Sequence, residues 1–136
     1  MRLALYAILA AAVVVAAAPA RLTAHHAFAA EFDSSKPVEL KGTVTRLQWT
    51  NPHSWLYVDV PDAHGVVTSW SVEFGAPYSL MQKGLRKTDF PIGVEVQVKG
   101  FLAKSGKAVA NASGVTLANG RGFYTGAEDA PSGEGR

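Results

Sequence analysis

Apolar and polar residues alternate along most of the chain between residues 38 and 117. In "VELKGTVTRLQWT", Val38, Leu40 and Val44 share one face, with Gly42 between them. After Val44 the parity slips, and Leu47 and Trp49 carry on out of step. A period of two marks a half-buried strand. A glycine together with a parity slip predicts a bulge or sharp bend in a long one. "SWLYVDV" places Leu56, Val58 and Val60 on one face and Trp55, Tyr57 and Asp59 on the other. "PDAHGVV" supplies a turn with His64-Gly65 at its tip, and "VVTSWSVEF" returns with Val66, Thr68, Trp70, Val72 and Phe74 in phase.

The period then changes. "APYSLMQKGL" spaces Tyr78, Met81 and Leu85 as one face of a short helix, with Pro77 suited to its first turn and Gly84 near its end. "FPIGVEVQVKGFLA" is again a strand, with Val94, Val96 and Val98 in phase and a bend offered at Gly100. "AVANASGVTL" is the last, with Val115 and Leu117 as its core residues. The chain is therefore mainly β. Five strands with one short helix between strands 3 and 4 is the order of an OB-fold, a small, partly open barrel. A small antiparallel sandwich leaves the helix unexplained.

The two ends differ from this body. "MRLALYAILAAAVVVAAAPARLTA" has Arg2, an apolar run from Leu3 to Ala18, then small residues, which is the layout of a secretory signal peptide. The run is shorter than the roughly 20 apolar residues a membrane span needs. The expectation is a signal peptide over 1–24, cleaved after Ala24 or after Ala20, with no stable span left afterwards. From Asn119 the chain reads "NGRGFYTGAEDAPSGEGR", too polar and Gly-rich to bury the area that ordering requires. The expected organisation is a barrel domain with an N-terminal arm over 25–118 and a flexible tail over 119–136, with Phe123 and Tyr124 as the tail residues able to pin it to the body.

Charge adds one exclusion. The chain has 13 Lys+Arg against 11 Asp+Glu. Cleavage after Ala24 removes Arg2 and Arg21 and no acid, which leaves eleven of each. No clustered basic face remains for nucleic acid, and export points the same way. There is no cysteine, so an exported chain must rely on its core.

"AHHAFAAEFD", "KPVELKGTVTRLQWTNPHSWLYVDV", "WSVEFGAP" and "GVEVQVKGFLAKSGKAVANASGVTL" together resemble a family of small exported bacterial proteins, a domain of unknown function. The resemblance runs from His25 to about Phe123. It implies a periplasmic or secreted OB-like domain and no particular activity. Members usually have Ser after the paired histidines, where this chain has Ala27.

The candidate chemistry lies in His25, His26 and His53. If His25 becomes the first residue, its amine and ring can bite one metal ion together, and a further imidazole completes a T-shaped set of three nitrogens. That resembles the histidine brace of copper enzymes and some periplasmic copper carriers. Nitrogen ligands in tetragonal geometry suit Cu(II). His53 follows the turn-forming Asn51-Pro52 pair and stands between Trp49 and Trp55. Glu31 or Asp33 could supply an oxygen or hold a ring nitrogen. The candidate cofactor is thus copper or another divalent transition metal at His25, His26 and His53.

The alternative is a binding module for a small ligand, a peptide, or an envelope component or protein, with no metal. It would use an aromatic face of Trp49, Trp55 and Tyr57, with Asn51 beside it. The same rings could instead pack under the arm "AFAAEF", whose Phe28 and Phe32 need cover. Catalysis finds no support. There is no Cys, no G-x-S-x-G and no H-E-x-x-H, and Ser54 beside His53 diverges from it along a strand. "NAS" at Asn111 matches a glycosylation acceptor only by chance, and His64 belongs to a solvated turn.

Overall fold

A computed structural model describes residues 28–126. The expected signal peptide with its two candidate cleavage sites, the paired His25 and His26, and the chain past Gly126 lie outside the described residues. A helical turn at 28–31 leads into β1 (Phe32–Gln48), followed by β2 (Trp55–Pro61) and β3 (Val67–Glu73). Helix α1 (Pro77–Gln82) and a 3-10 turn (Lys87–Asp89) come next, then β4 (Glu95–Ala103), β5 (Val109–Leu117) and β6 (Gly122–Tyr124).

One sheet holds all six strands, in the order β3-β2-β1-β4-β5-β6. Neighbours in that order are antiparallel. A parallel pairing of β3 with β5, through Ser71↔Val109, Val72↔Ala110 and Glu73↔Asn111, closes the first five into a barrel. This is the OB-like arrangement that the strand order predicts, with the helix between β3 and β4.

Both expected bends are present. The β1–β2 register skips a residue between Val44 and Arg46, so Leu47 again faces inward opposite Leu56. The β4–β5 register shifts between Lys99 and Gly100. Strands cross so closely at the glycines that side chains are excluded. A Cβ on Gly42 would lie 2.6 Å from the Asp59 carbonyl oxygen, and one on Gly100 only 2.2 Å from that of Asn111.

The core is the inner face of the alternation: Leu40, Val44, Leu56, Val58, Val72, Phe74, Val96, Val98, Val115 and Leu117, with Leu80, Leu85 and Phe90 from the connection between β3 and β4. Each such side chain contributes about 1.5–3 kcal/mol by leaving water. Two expectations are corrected here. The helical face read as Tyr78, Met81 and Leu85 is wrong in its first two members. Tyr78 is 70% and Met81 39% exposed, while Leu80 is fully buried. The helix has only six residues, so the angle set by Ala76-Pro77 at its start decides which side meets the barrel.

The second correction is the strand count. β6 is a sixth strand, inside the segment whose composition reads as tail. β5 pairs with β3 only through Asn111, and beyond that its edge is open. β6 fills it with Gly114↔Tyr124, Val115↔Phe123 and Thr116↔Gly122, and Phe123 packs against the core. The next residue ties β5 to the end of β3: Thr125 N–H donates to the Ser113 carbonyl at 3.1 Å, and Gly75 N–H donates to the Thr125 carbonyl at 3.1 Å.

Candidate functional site

The outer face of the barrel carries a row of side chains running across four strands. Trp55 on β2 pairs with Glu73 on β3, Glu73 pairs with Asn111 on β5, and Asn111 pairs with Phe101 on β4. Paired residues point to the same side of a sheet. Their inward neighbours Leu56, Val72 and Ala110 are core, so this row faces out.

His53 stands just before β2, after a cis Asn51-Pro52 peptide. Its ring meets the row at Glu73. His53 Nδ1 is hydrogen-bonded to Glu73 Oε1, and Asn111 Nδ2 donates to Glu73 Oε2 at 3.4 Å. The Glu73 side chain is only 7% exposed, whereas that of His53 is 43% exposed. A carboxylate can only accept, so it draws the ring proton onto Nδ1 and turns the Asn111 amide nitrogen towards itself. In the neutral imidazole the lone pair is then on Nε2, at the more exposed end of the pair. Asn111 Oδ1 is buried and has no hydrogen-bond partner.

Burying a carboxylate costs several kcal/mol unless partners compensate. Here the carboxylate and its two partners come from three separate segments, which is why the sequence does not disclose the cluster. Glu73 falls between the core residues Val72 and Phe74, in a position that alternation assigns to solvent. Asn111 sits in a motif that reads as chance. The one available signal is that a Glu stands in phase with Trp55 once β2 and β3 are paired in register.

The N-terminal arm lies against the same face. Phe28 stacks on Phe32 with ring centroids 5.6 Å apart and meets the Phe101 ring edge-on at 5.9 Å. Lys104 N–H donates to the Glu31 carbonyl at 2.8 Å, and the Lys104 ammonium reaches the Ala29 carbonyl. Between the arm and the β4–β5 turn lies a cavity of about 360 Å³, lined by Trp55, Phe32 and Val109 among others.

The aromatic candidates take three separate roles. Trp49 is half-buried and packs against the core. Tyr57 lies under the Arg46 guanidinium, 3.8 Å from ring centroid to Cζ, and its hydroxyl donates to Gln48 Oε1 at 2.5 Å. Trp55 lines the cavity. Asn51 is exposed at the turn before His53. Glu31 lines the cavity rim, and Asp33 accepts from the hydroxyl and the N–H of Ser35. Ser54 is fully buried and diverges from His53, and its Oγ has no partner. His64 is exposed, its N–H donating to Asp62 Oδ1 in the β2–β3 turn.

Among the described residues no group of three or more His, Cys, Asp or Glu side chains could hold a metal ion, and no helix is long and apolar enough to cross a membrane. No curated protein matches the chain significantly. The model of a family of unknown function, DUF6152, matches residues 11–112, which takes in the first four strands and reaches the buried Asn111. The chain belongs to that family, and the matched span of this chain contains β1 to β4, the His53-bearing turn, Glu73 and Asn111.

Proposed function

We propose that the protein is an exported, periplasmic binding module that carries a divalent transition metal, copper foremost, on His53 together with the N-terminal His25 and His26. One observation carries the reading: the partly exposed His53 is held at Nδ1 by a buried carboxylate, which leaves Nε2 as the ring nitrogen that bond does not engage. A histidine that ligates a metal is typically oriented in this way, by a carboxylate on its other nitrogen. His53 alone is a weak site, so the paired histidines complete it.

Chain reach supports the pairing. Phe28 rests on Phe101, which is two strands from Glu73 across the sheet, about 10 Å at the usual strand spacing. His25 precedes Phe28 by three residues, a reach of about 10 Å. Export rests on the leader pattern, a basic residue, an apolar run and small residues before His25.

The test is a copper titration of a chain starting at His25, with the starting residue of the exported protein read by intact mass. Tight one-to-one binding is expected. It should fall at least tenfold in His53→Ala and in a chain that starts at Arg21. Equal binding by all three chains sinks the reading.

A second reading keeps Trp55 as the wall of a ligand site for a peptide, an envelope component or a smaller molecule. The cavity beside Trp55 favours it. Trp49 and Tyr57, already engaged elsewhere, no longer belong to that surface.

A further inference from the structure

The cavity between the arm and the β4–β5 turn has a definite chemical polarity. Its floor is apolar: the Trp55 ring, Phe32, Ala103 and Val109. Its rim carries charges of opposite sign. Glu31 is exposed and brings a carboxylate, and beside it, joined by the Lys104 N–H to Glu31 carbonyl bond, exposed Lys104 and Ser105 bring an ammonium and a hydroxyl. The Lys104 ammonium is steered to the rim by the Ala29 carbonyl, and it has three N–H donors, so two remain for another acceptor. Ser105 Oγ accepts a long hydrogen bond from Lys107 N–H at 3.4 Å and keeps its own proton to donate.

We propose that this cavity binds a small zwitterion with an apolar body, in the class of a free α-amino acid with an aliphatic or aromatic side chain. The side chain lies on Trp55 and Phe32, the carboxylate meets Lys104 and Ser105, and the ammonium meets Glu31. At about 360 Å³ the cavity is near the lower end of ligand sites, which suits one amino acid better than a folded partner. A rim with one charge of each sign disfavours a simple anion or cation, since each would face one like charge. The cavity borders the His53–Glu73 row through Trp55. It narrows the aromatic reading to a small ligand and does not depend on metal.

The experiment is an NMR titration of the metal-free chain starting at His25 with L-phenylalanine, followed at the backbone amides and the Trp55 indole N–H. Two probes each lack one charge: 3-phenylpropionate and phenethylamine. L-Phenylalanine should shift Glu31, Lys104, Ser105 and Trp55 saturably, and each single-charge probe should bind about tenfold more weakly or worse. Lys104→Met should erase the preference for L-phenylalanine over phenethylamine, and Glu31→Gln the preference over 3-phenylpropionate. Both positions are exposed, so the variants keep the fold. No saturable shift at millimolar L-phenylalanine overturns the proposal. So does equal binding of all three probes, which would mean stacking on Trp55 alone. Failure of copper binding leaves this result untouched, and failure here leaves the copper reading untouched.

Discussion

The buried Glu73 makes a prediction in which the sign of one substitution depends on another. In the native protein its two oxygens accept hydrogen bonds from His53 Nδ1 and Asn111 Nδ2, while its side chain is almost wholly enclosed. His53→Ala removes one charge-assisted partner of a buried carboxylate, a loss of about 1.5–3 kcal/mol in a dry site. His53 is 43% exposed, so water can enter the vacated space, and the expected loss falls to about 1–2 kcal/mol. Glu73→Gln in the native background costs about 1 kcal/mol, because an amide offers one oxygen where two donors need acceptors. In the His53→Ala background the same change removes an under-partnered buried charge. There Glu73→Gln should be neutral or stabilising. The coupling between the two sites is then about 1 kcal/mol or more, against additivity within about 0.3–0.5 kcal/mol for independent sites. Urea unfolding of the four proteins measures it. Thermal midpoints should follow at about 4–8 °C per kcal/mol for a domain of this size. Additive effects would refute the reasoning, because they would mean that the carboxylate is held by its surroundings and not by His53.

Other consequences follow from packing and local hydrogen bonding. Gly100→Ala forces a Cβ onto the Asn111 carbonyl and should cost about 3 kcal/mol or more, whereas Gly106→Ala, in open space at φ +73°, should cost about 1 kcal/mol; urea midpoints that match for the two would deny that β4 and β5 cross so closely. A chain ending at Ala118 loses β6 and the Phe123 packing, and should unfold about 2 kcal/mol or more earlier in urea; an unchanged midpoint would show that β6 adds nothing to the barrel. The Ser35 hydroxyl, then the Ser35 N–H, hold the Asp33 carboxyl below its ordinary 3.8, with smaller help from the Lys36 and Lys104 charges against a small burial effect. A depressed folded value means that Asp33 favours the fold above its unfolded value, and the effect is lost as pH falls through the folded one. A carboxyl-detected NMR titration should put the Asp33 midpoint under 3.8, and Ser35→Ala should raise it part of the way, since the backbone N–H stays; a midpoint indifferent to Ser35→Ala contradicts the assignment.

Much of the fold was legible because alternation is local. The inward residues of β2 and β4 follow from a period of two, and the bends of β1 and β4 follow from a glycine and a parity slip. Those features depend on neighbours a few residues away. The helix face was misread because six residues hold too little periodicity to orient themselves; Leu80 is buried by where the chain enters after β3. β6 was hidden for a related reason. Three residues become a strand only where β5 presents an open edge.

The candidate site divides along the same line. His53 stood out by its motif, and the cavity-lining Trp55 by its place opposite the core residues of β2. Glu73 and Asn111 did not stand out, since each looks like an outward polar residue of its own strand. The sequence by itself determined the five barrel strands, their core face and the histidines available for chemistry, all through period and composition. Only the tertiary structure decided which outward residues become buried partners, because that follows from the β2–β3–β5 register. A register is a relation between segments distant in the chain, and a burial cost on a carboxylate exists only once those segments meet.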